Sequence, residues 1–467
     1  PGSRSRFGRM LPALAPYQAS RRLIDELARR MREQGGDLDH PDLPAGYTYF
    51  GQLVDHDLSF DPVSSLQLGN DPAKVEDFRT PRFDLDMLYG GGPLDMPYLY
   101  AQDGRSRGEL LLLGDSRAQF GPGLATEDLP RNADGRALIG DPRNDENAIL
   151  AQLHLAFLKL HNRVVDDLRA GRHRAHWAGQ EGELFREAQR IVRWHYQWVV
   201  AKDFLPRVLP PGLLEAVLAP APAPDRPGRR PLAFDGAPFM PAEFAVAAYR
   251  FGHTLVRPSY QVNARAAKVR LFAAGPDPLD PTHLGGFRPL PARLVVDWSR
   301  FLDLSPADPP QPARRLDTRL AAPLTSLPPG VAPQGTAGRS LAWLNLTRGN
   351  AMGLPSGQAV AAALGTPPLP PAALQLAGAP APLWYYVLTE AATLGRGRHL
   401  GPVGATIVAE VVAALLAADP ASFLNATPPW TPFLGPRPGD FTLADLVAYA
   451  TRWRSIRFEE AAAATAR

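Results

Sequence analysis

The chain has 467 residues, a formal net charge of +3 from 50 basic and 47 acidic side chains, and no cysteine. Nearly balanced charge gives no drive toward nucleic acid. The missing thiols exclude disulfides, a disulfide-linked partner, thiolate catalysis, iron–sulfur clusters and cysteine-bound zinc. Any metal must therefore be held by imidazole, carboxylate or carbonyl groups. The arginines are spread along the sequence, lysine occurs only at Lys74, Lys159, Lys202 and Lys268, and proline is abundant. That pattern reads as GC-rich bacterial coding bias. The length exceeds a usual single core, but no composition shift divides it, so one large body over 1–467 is expected, with 1–45 as an N-terminal extension.

Pro1-Gly2-Ser3 reads as an expression scar with no apolar leader after it, and together with the absent cysteines this leans toward a cytoplasmic rather than a secreted protein. Ser20 to Arg32 forms a short amphipathic docking helix, with Leu23, Ile24, Leu27 and Met31 on one face. A long core helix is predicted from Glu146 to Leu168, and another from about Glu183 to Phe204, stopping at Pro206. A third begins at Pro241, where proline suits a first helical turn, and must end before Pro258. Gly404 to Ala418 is apolar but interrupted by Glu410 and too short to span a membrane, so it is a buried helix. Pro206–Pro231, Ser305–Pro333 and Thr366–Pro382 read as irregular surface loops. Lys268–Phe272 and Arg293–Val296 are the best strand candidates. The fold class is mainly α, a single large helical body with little β-sheet and long Pro-rich loops.

Phe50-Gly51-Gln52-Leu53-Val54-Asp55-His56-Asp57 holds a histidine between two carboxylates, one turn after a glutamine. Alone it reads as a solvated, salt-bridged surface turn, but partners follow. Arg143-Asn144-Asp145-Glu146 puts an arginine and a glutamate on neighbouring points of one helical face. Tyr249-Arg250-Phe251-Gly252-His253 puts a histidine beside a glycine, where something flat and bulky could approach. Asn345 in Leu344-Asn345-Leu346-Thr347-Arg348-Gly349 could orient that histidine, although Asn345-Leu346-Thr347 is also a glycosylation sequon. Thr80-Pro81-Arg82-Phe83-Asp84-Leu85-Asp86 alternates oxygen-bearing positions, which with Asp57 suits calcium; the bland reading is a hydrated acidic turn.

These five segments, in this order, resemble the animal-type haem peroxidases of the peroxidase–cyclooxygenase superfamily, specifically their bacterial members. Further family-like stretches are His161-Asn162-Arg163, His195-Tyr196-Gln197 through Pro206, Gly353-Leu354-Pro355 and Gly401-Pro402-Val403-Gly404. The resemblance makes His56 the distal histidine, Gln52 its neighbour and Arg143 the distal arginine. It makes His253 the proximal haem-iron ligand, and Asn345 the acceptor of a hydrogen bond from that ligand's other ring nitrogen. Asp57, Thr80, the Arg82 carbonyl, Asp84 and Asp86 fall on calcium positions. Asp55 and Glu146 match carboxylates that form haem esters, so the cofactor is haem b or an ester-linked derivative. Asn147 stands where a mammalian member has a sulfonium-forming methionine. Arg250 and Arg348 match haem-propionate partners.

The implied activity is a peroxidase in which hydrogen peroxide converts the haem to an oxidised ferryl form that then oxidises a halide, thiocyanate or a small organic donor. His56 would move peroxide's proton, and Arg143 would stabilise the departing negative oxygen. The alternatives are a fatty-acid dioxygenase or biosynthetic haem oxidase of the same superfamily, and a non-catalytic haem- or calcium-binding protein. In such dioxygenases a tyrosine stands three residues before the proximal histidine; here that position is Arg250, with Tyr249 one further back. Asn350-Ala351-Met352 departs from the family's Arg-Asp-His before Gly-Leu-Pro. His154, His161, His195 and His399 read as structural.

Overall fold

The computed structural model describes residues 5–452 apart from 36–37, 62–69, 103–107, 178–182, 220–231, 233, 235, 274–279, 330, 333–334 and 337. Pro1-Gly2-Ser3, residues 220–231 of the first Pro-rich connection and residues 330 and 333 of the second lie outside the described residues. Helix accounts for 46% and strand for 10%, which settles the class as mainly α.

Eight helices set the frame: α1 (Arg21–Arg30), α2 (Gly46–Leu58), α3 (Ala148–Arg169), α4 (Leu184–Trp198), α5 (Leu341–Ala351), α6 (Leu383–Thr393), α7 (Pro402–Ala418) and α8 (Leu443–Thr451). Helix α3 is the axis. Asn147 caps it by accepting from the Leu150 N–H at 2.8 Å. Its stripe of Ile149, Leu153, Phe157, Leu160 and Val164 is wholly buried, each side chain contributing about 1.5–3 kcal/mol. Helices α2, α4 and α8 pack around it, while α1 lies on α5. Helix α7 is buried from Val403 to Leu416, and no helix among the described residues is long and apolar enough to cross a membrane.

Strands only tie ends together. Ser5–Gly8 pairs antiparallel with Glu76–Asp77 and parallel with Met240–Pro241. Asp39–Pro44 pairs with Pro312–Arg314, and Ser259–Tyr260 with Val269–Arg270. The candidate strand Lys268–Phe272 thus shortens to its centre. The candidate Arg293–Val296 is a 3-10 turn over Ala292–Leu294, entered from Pro291. The Thr366–Pro382 loop holds a helical turn at Pro371–Leu374.

Pro206 does not stop its helix. Helix α4 widens into a π turn over Val199–Phe204 and resumes over Leu205–Val208, so the proline sits in a first turn where no N–H is needed. The segment after Pro241 ends before Pro258 as expected, but is no α-helix. It is a π turn over Glu243–Ala247 followed by a 3-10 helix over Ala248–Leu255, which packs against α2, α6 and α7.

Candidate active site

One wall of the site is α2. Gln52, Asp55 and His56 lie three and four residues apart and so share a face. Gln52 donates to Glu146. The turn carrying Arg143 and Glu146 is bolted down from behind, since Gly286 and Phe287 donate backbone bonds to Glu146 and Asp145 at 2.9 and 2.7 Å. A Cβ on Gly286 would lie 1.8 Å from the Asp145 carbonyl oxygen, so only glycine allows this approach. Arg131 holds Asp145 from the other side with two hydrogen bonds of 2.7 and 2.9 Å.

His56 is 5% exposed, and its Nδ1 is 2.8 Å from Oδ1 of Asn144. Burial, reinforced by the Arg143 charge, pushes its pKa down to about 3, so the ring is neutral at pH 7. Burial raises Asp55 and takes Glu146 up to about 7, against the pull of Arg143 on both. Gln52, Asp55 and Glu146 nevertheless keep accessible surface, so they face an internal cleft.

Arg143 is held more firmly than its spacing suggests. Its Nη2 donates to Asp141 at 2.7 Å and to the Ser59 and His56 carbonyls at 2.8 and 3.2 Å, and Nε donates to Asp141 at 3.1 Å. The guanidinium carbon lies 4.3 Å from the centre of the Phe60 ring. Nη1 alone has no partner among the described residues. Asp141 also binds Arg79, through Nη2 at 2.7 Å and Nε at 3.0 Å. Burial alone would raise the Asp141 pKa, but Arg143 and Arg79 outweigh it and hold the carboxyl below its usual range.

A second wall is the 3-10 helix, which packs on α2 and is bonded to α5 through Asn345. Asn345 is fully buried, which leaves its sequon unreachable. Nη1 of Arg250 donates to Oδ1 of Asn345 at 2.8 Å, and Nδ2 of Asn345 lies 2.8 Å from Nδ1 of His253. The contact with the ring is therefore made by the amide nitrogen, not the carbonyl expected from the sequence, because Arg250 occupies the carbonyl. Burial and then the Arg250 charge push the His253 pKa down to about 3. A Cβ built on Gly252 would meet nothing within 4 Å, and Arg250, Gly252 and His253 all keep accessible surface. Open space adjoins this wall too. Burial depresses the Arg250 pKa to about 10, with the nearby Arg348 charge adding to it against the pull of Asp55, and Arg348 pairs with Asp61 at 3.4 Å.

Behind α2, the carboxylates of Asp57, Asp84 and Asp86 converge to within 4.8 Å. Neither oxygen of Asp57, which is fully buried, has a partner of hydrogen-bonding geometry, although the Tyr196 hydroxyl and the Leu85 N–H lie near. Burial raises all three pKa values, Asp86 to about 7, and mutual repulsion adds to it. Thr80 donates its hydroxyl to Asp84 at 2.8 Å, and the Arg82 N–H bonds the Thr80 carbonyl at 2.8 Å.

Sequence reasoning missed Asp141, Asn144 and Met87, and set His154 aside. Asp141 had a signal, as the side chain that caps the turn by accepting from the Arg143 N–H at 2.8 Å. Asn144 and His154 had none, since they sit on different elements. The other three histidines bond backbone: His161 to Glu109, His195 to Ile191 and His399 to Leu400. Asn350, in the stretch that departs from the family pattern, clamps Ala19 with two bonds of 2.8 and 3.0 Å, so it pins the N-terminal segment to α5.

A helical body that brings one imidazole from each of two packed elements to an arginine-bearing cleft is the scaffold of a haem oxidoreductase. The chain belongs to the animal haem peroxidase family, whose pattern matches residues 67–370. It is 31% identical to mouse eosinophil peroxidase over 199 residues, 40% of this chain and 26% of that protein. It is 34% identical to a peroxidase-like protein of Margaritifera margaritifera over 223 residues, 46% of this chain and 26% of that one. The chain thus matches about a quarter of the length of these relatives. Peroxidase A of Dictyostelium discoideum shares the fold with a TM-score of 0.60 at 15% identity, covering 96% of this chain and 93% of that one. A fatty acid alpha-dioxygenase of Arabidopsis thaliana does so with 0.60 at 14% identity, over 97% and 76%.

Proposed function

We propose that the protein is a haem peroxidase that uses hydrogen peroxide to oxidise a halide, thiocyanate or a small organic donor, with residues 1–467 acting as one catalytic body. The observation that carries this is a neutral His56 beside a fixed Arg143, on a helix packed against the 3-10 helix that bears His253. The residues fit a haem: open space adjoins Gly252, the two imidazoles come from two elements packed together, and half-buried Arg250 and Arg348 suit two carboxylates. His253 would bind the iron, Asn345 would orient that ring, and Arg250 and Arg348 would hold the propionates. Asp55 and Glu146 would stand at the porphyrin edge, where esters form, and Gln52 fixes Glu146. Bound there, haem would supply the redox-active iron at which the peroxide O–O bond breaks.

His56 supplies the proton chemistry. A bare nitrogen takes the proton from one peroxide oxygen and returns it to the other as that oxygen leaves. Arg143 balances the negative charge that develops there, in surroundings where a fixed cation acts more strongly than in water. An absorption spectrum of haem-loaded protein before and after one equivalent of peroxide tests the assignment. Peroxide should change the haem band, and bromide, iodide, thiocyanate or a phenol should restore it. Protein that stays colourless after haem supplementation, or a band indifferent to peroxide, would sink the proposal. Asn345→Ala should weaken haem binding about 10–100-fold, as loss of a group orienting a metal ligand does; titration of the haem band measures it. Denaturing extraction with mass measurement reads whether Asp55 or Glu146 is esterified.

A fatty-acid dioxygenase is the second reading, because a structural neighbour of equal score has that activity in its name. The 3-10 geometry counts against it. Residues three apart eclipse there, so Arg250 sits over His253, and Tyr249 is turned away by about 120°. Oxygen uptake with a long-chain fatty acid and no peroxide would favour the dioxygenase.

We further propose that Asp57, Thr80, the Arg82 carbonyl, Asp84 and Asp86 hold calcium. The convergence of three carboxylates, with that of Asp57 unpartnered, supports it, and hard oxygen donors suit that ion. In metal-free protein these pKa values are raised above about 4, the unfolded value, so the carboxyls stabilise the fold below that pH. That contribution is lost as pH rises toward 7, where Asp86 ionises. Calcium at a hundredfold excess over its dissociation constant should therefore stabilise the fold by about 2.7 kcal/mol, and should raise the melting temperature more at pH 7.5 than at pH 5. Equal melting with calcium and with chelator at both pH values would remove the site.

A further inference from the structure

We infer that Asn144, backed by His154 and Met87, fixes which nitrogen of His56 carries the ring proton, and so acts as a positioning residue for the proton shuttle. The inference deepens the peroxidase reading and rests on it. Oδ1 of Asn144 is 2.8 Å from Nδ1 of His56. Nδ2 of Asn144 is 3.0 Å from Nδ1 of His154 and 3.3 Å from the Met87 sulfur. An amide turned end for end has the same shape, and an imidazole nitrogen donates or accepts, so the two ring distances alone allow either arrangement.

The sulfur decides between them. A thioether has no hydrogen to give, so a reversed amide would set Oδ1 against the sulfur lone pairs and leave one N–H unbonded; the favoured arrangement turns the NH2 to Met87 and Oδ1 to His56. Only a ring N–H can satisfy that oxygen. His56 therefore carries its proton on Nδ1 and leaves Nε2 bare, and Nε2 has no protein partner among the described residues. The same logic places the His154 proton on Nε2, a buried atom without a partner. His154 is thus held as an acceptor for the amide. Asn144 and His154 are both 0% exposed, which keeps solvent from competing for these bonds.

The proton's position matters because a neutral imidazole has one lone pair for accepting a proton. With Nδ1 protonated, that lone pair lies on the atom left free for substrate. With the proton on Nε2, the free atom could only donate. After the transfer both nitrogens carry hydrogen, and Asn144 still accepts from Nδ1, so the ring need not turn before giving the proton to the departing oxygen.

Two variants separate orientation from packing. Asn144→Leu removes the acceptor at similar volume, and Asn144→Asp keeps it. In unloaded protein labelled with nitrogen-15 histidine, wild type and Asn144→Asp should show His56 protonated on Nδ1 and bare on Nε2, the signal being assigned by its loss in His56→Gln. Asn144→Leu should show an averaged or reversed pattern. Loaded with haem, Asn144→Leu should react with peroxide on the order of 10²- to 10⁴-fold more slowly, the range for losing a correctly protonated histidine, while Asn144→Asp keeps most of the rate. A wild-type ring protonated on Nε2, or an Asn144→Leu ring unchanged from wild type, overturns the inference. If Asn144→Leu does not fold, the wild-type spectrum still decides. Wild-type protein inert to peroxide but protonated on Nδ1 would end the peroxidase reading and leave the Asn144 assignment standing.

Discussion

Arg143→Gln should keep its haem yet react with peroxide about 10²- to 10³-fold more slowly, the range seen when one donor to a developing oxyanion is removed. The guanidinium is fixed before any substrate arrives. Asp141 takes Nε and Nη2, the carbonyls that end α2 take Nη2 as well, and Phe60 lies under the plane. Among the described residues only Nη1 is left to meet a negative oxygen, so the charge needs no reorganisation when the O–O bond opens. Glutamine can fill part of that space but brings no charge. Stopped-flow mixing of matched haem-loaded samples measures the effect; equal rates would take Arg143 out of the chemistry and leave it a brace for α2.

Asp141→Asn should cost about 3–5 kcal/mol of stability, the range for removing one partner of a buried ion pair. This carboxylate is 0% exposed and accepts from two arginines whose side chains retain only 10% and 23% of their surface. An amide would leave both guanidinia short of counter-charge and would turn an NH2 toward one of them. Because the arginines depress the Asp141 pKa, its stabilisation is complete above the unfolded value near 4 and is lost as pH falls toward the folded one. The gap between wild type and Asp141→Asn in urea should accordingly be full at pH 7 and shrink below pH 4. A gap that stays constant across that range would mean the loss is steric. The variant should also loosen Arg143 and slow the peroxide reaction.

The parts legible in the sequence were those written in local order. The stripe from Ile149 to Val164 gave α3, and the Gln52–Asp57 segment stood out as an acid–base motif, although no helix was expected over Gly46–Leu58. Alternation in Thr80–Asp86 likewise anticipated carboxylates that do converge with Asp57. Backbone choices that depend on tertiary contact were not legible. Nothing local told Val199–Phe204 to widen into a π turn and carry the helix past Pro206, or told Ala248–Leu255 to tighten to 3-10. Direction of hydrogen bonding failed for a similar reason. Asn345 and His253 could be paired from the resemblance, but that Arg250 would claim the amide oxygen depends on three side chains from two elements meeting in space.

Consecutive placement of His56 and Asp57 has a cost for any drift in this chain. At about 100° per residue, neighbours on α2 look into different chambers, one toward the cleft and one toward the acidic cluster. Both chambers are therefore indexed by a single rotational setting. A one-residue insertion or deletion between Gln52 and Asp57 would misalign the cleft with the cluster together, whereas length changes in the Pro-rich connections leave that phase untouched.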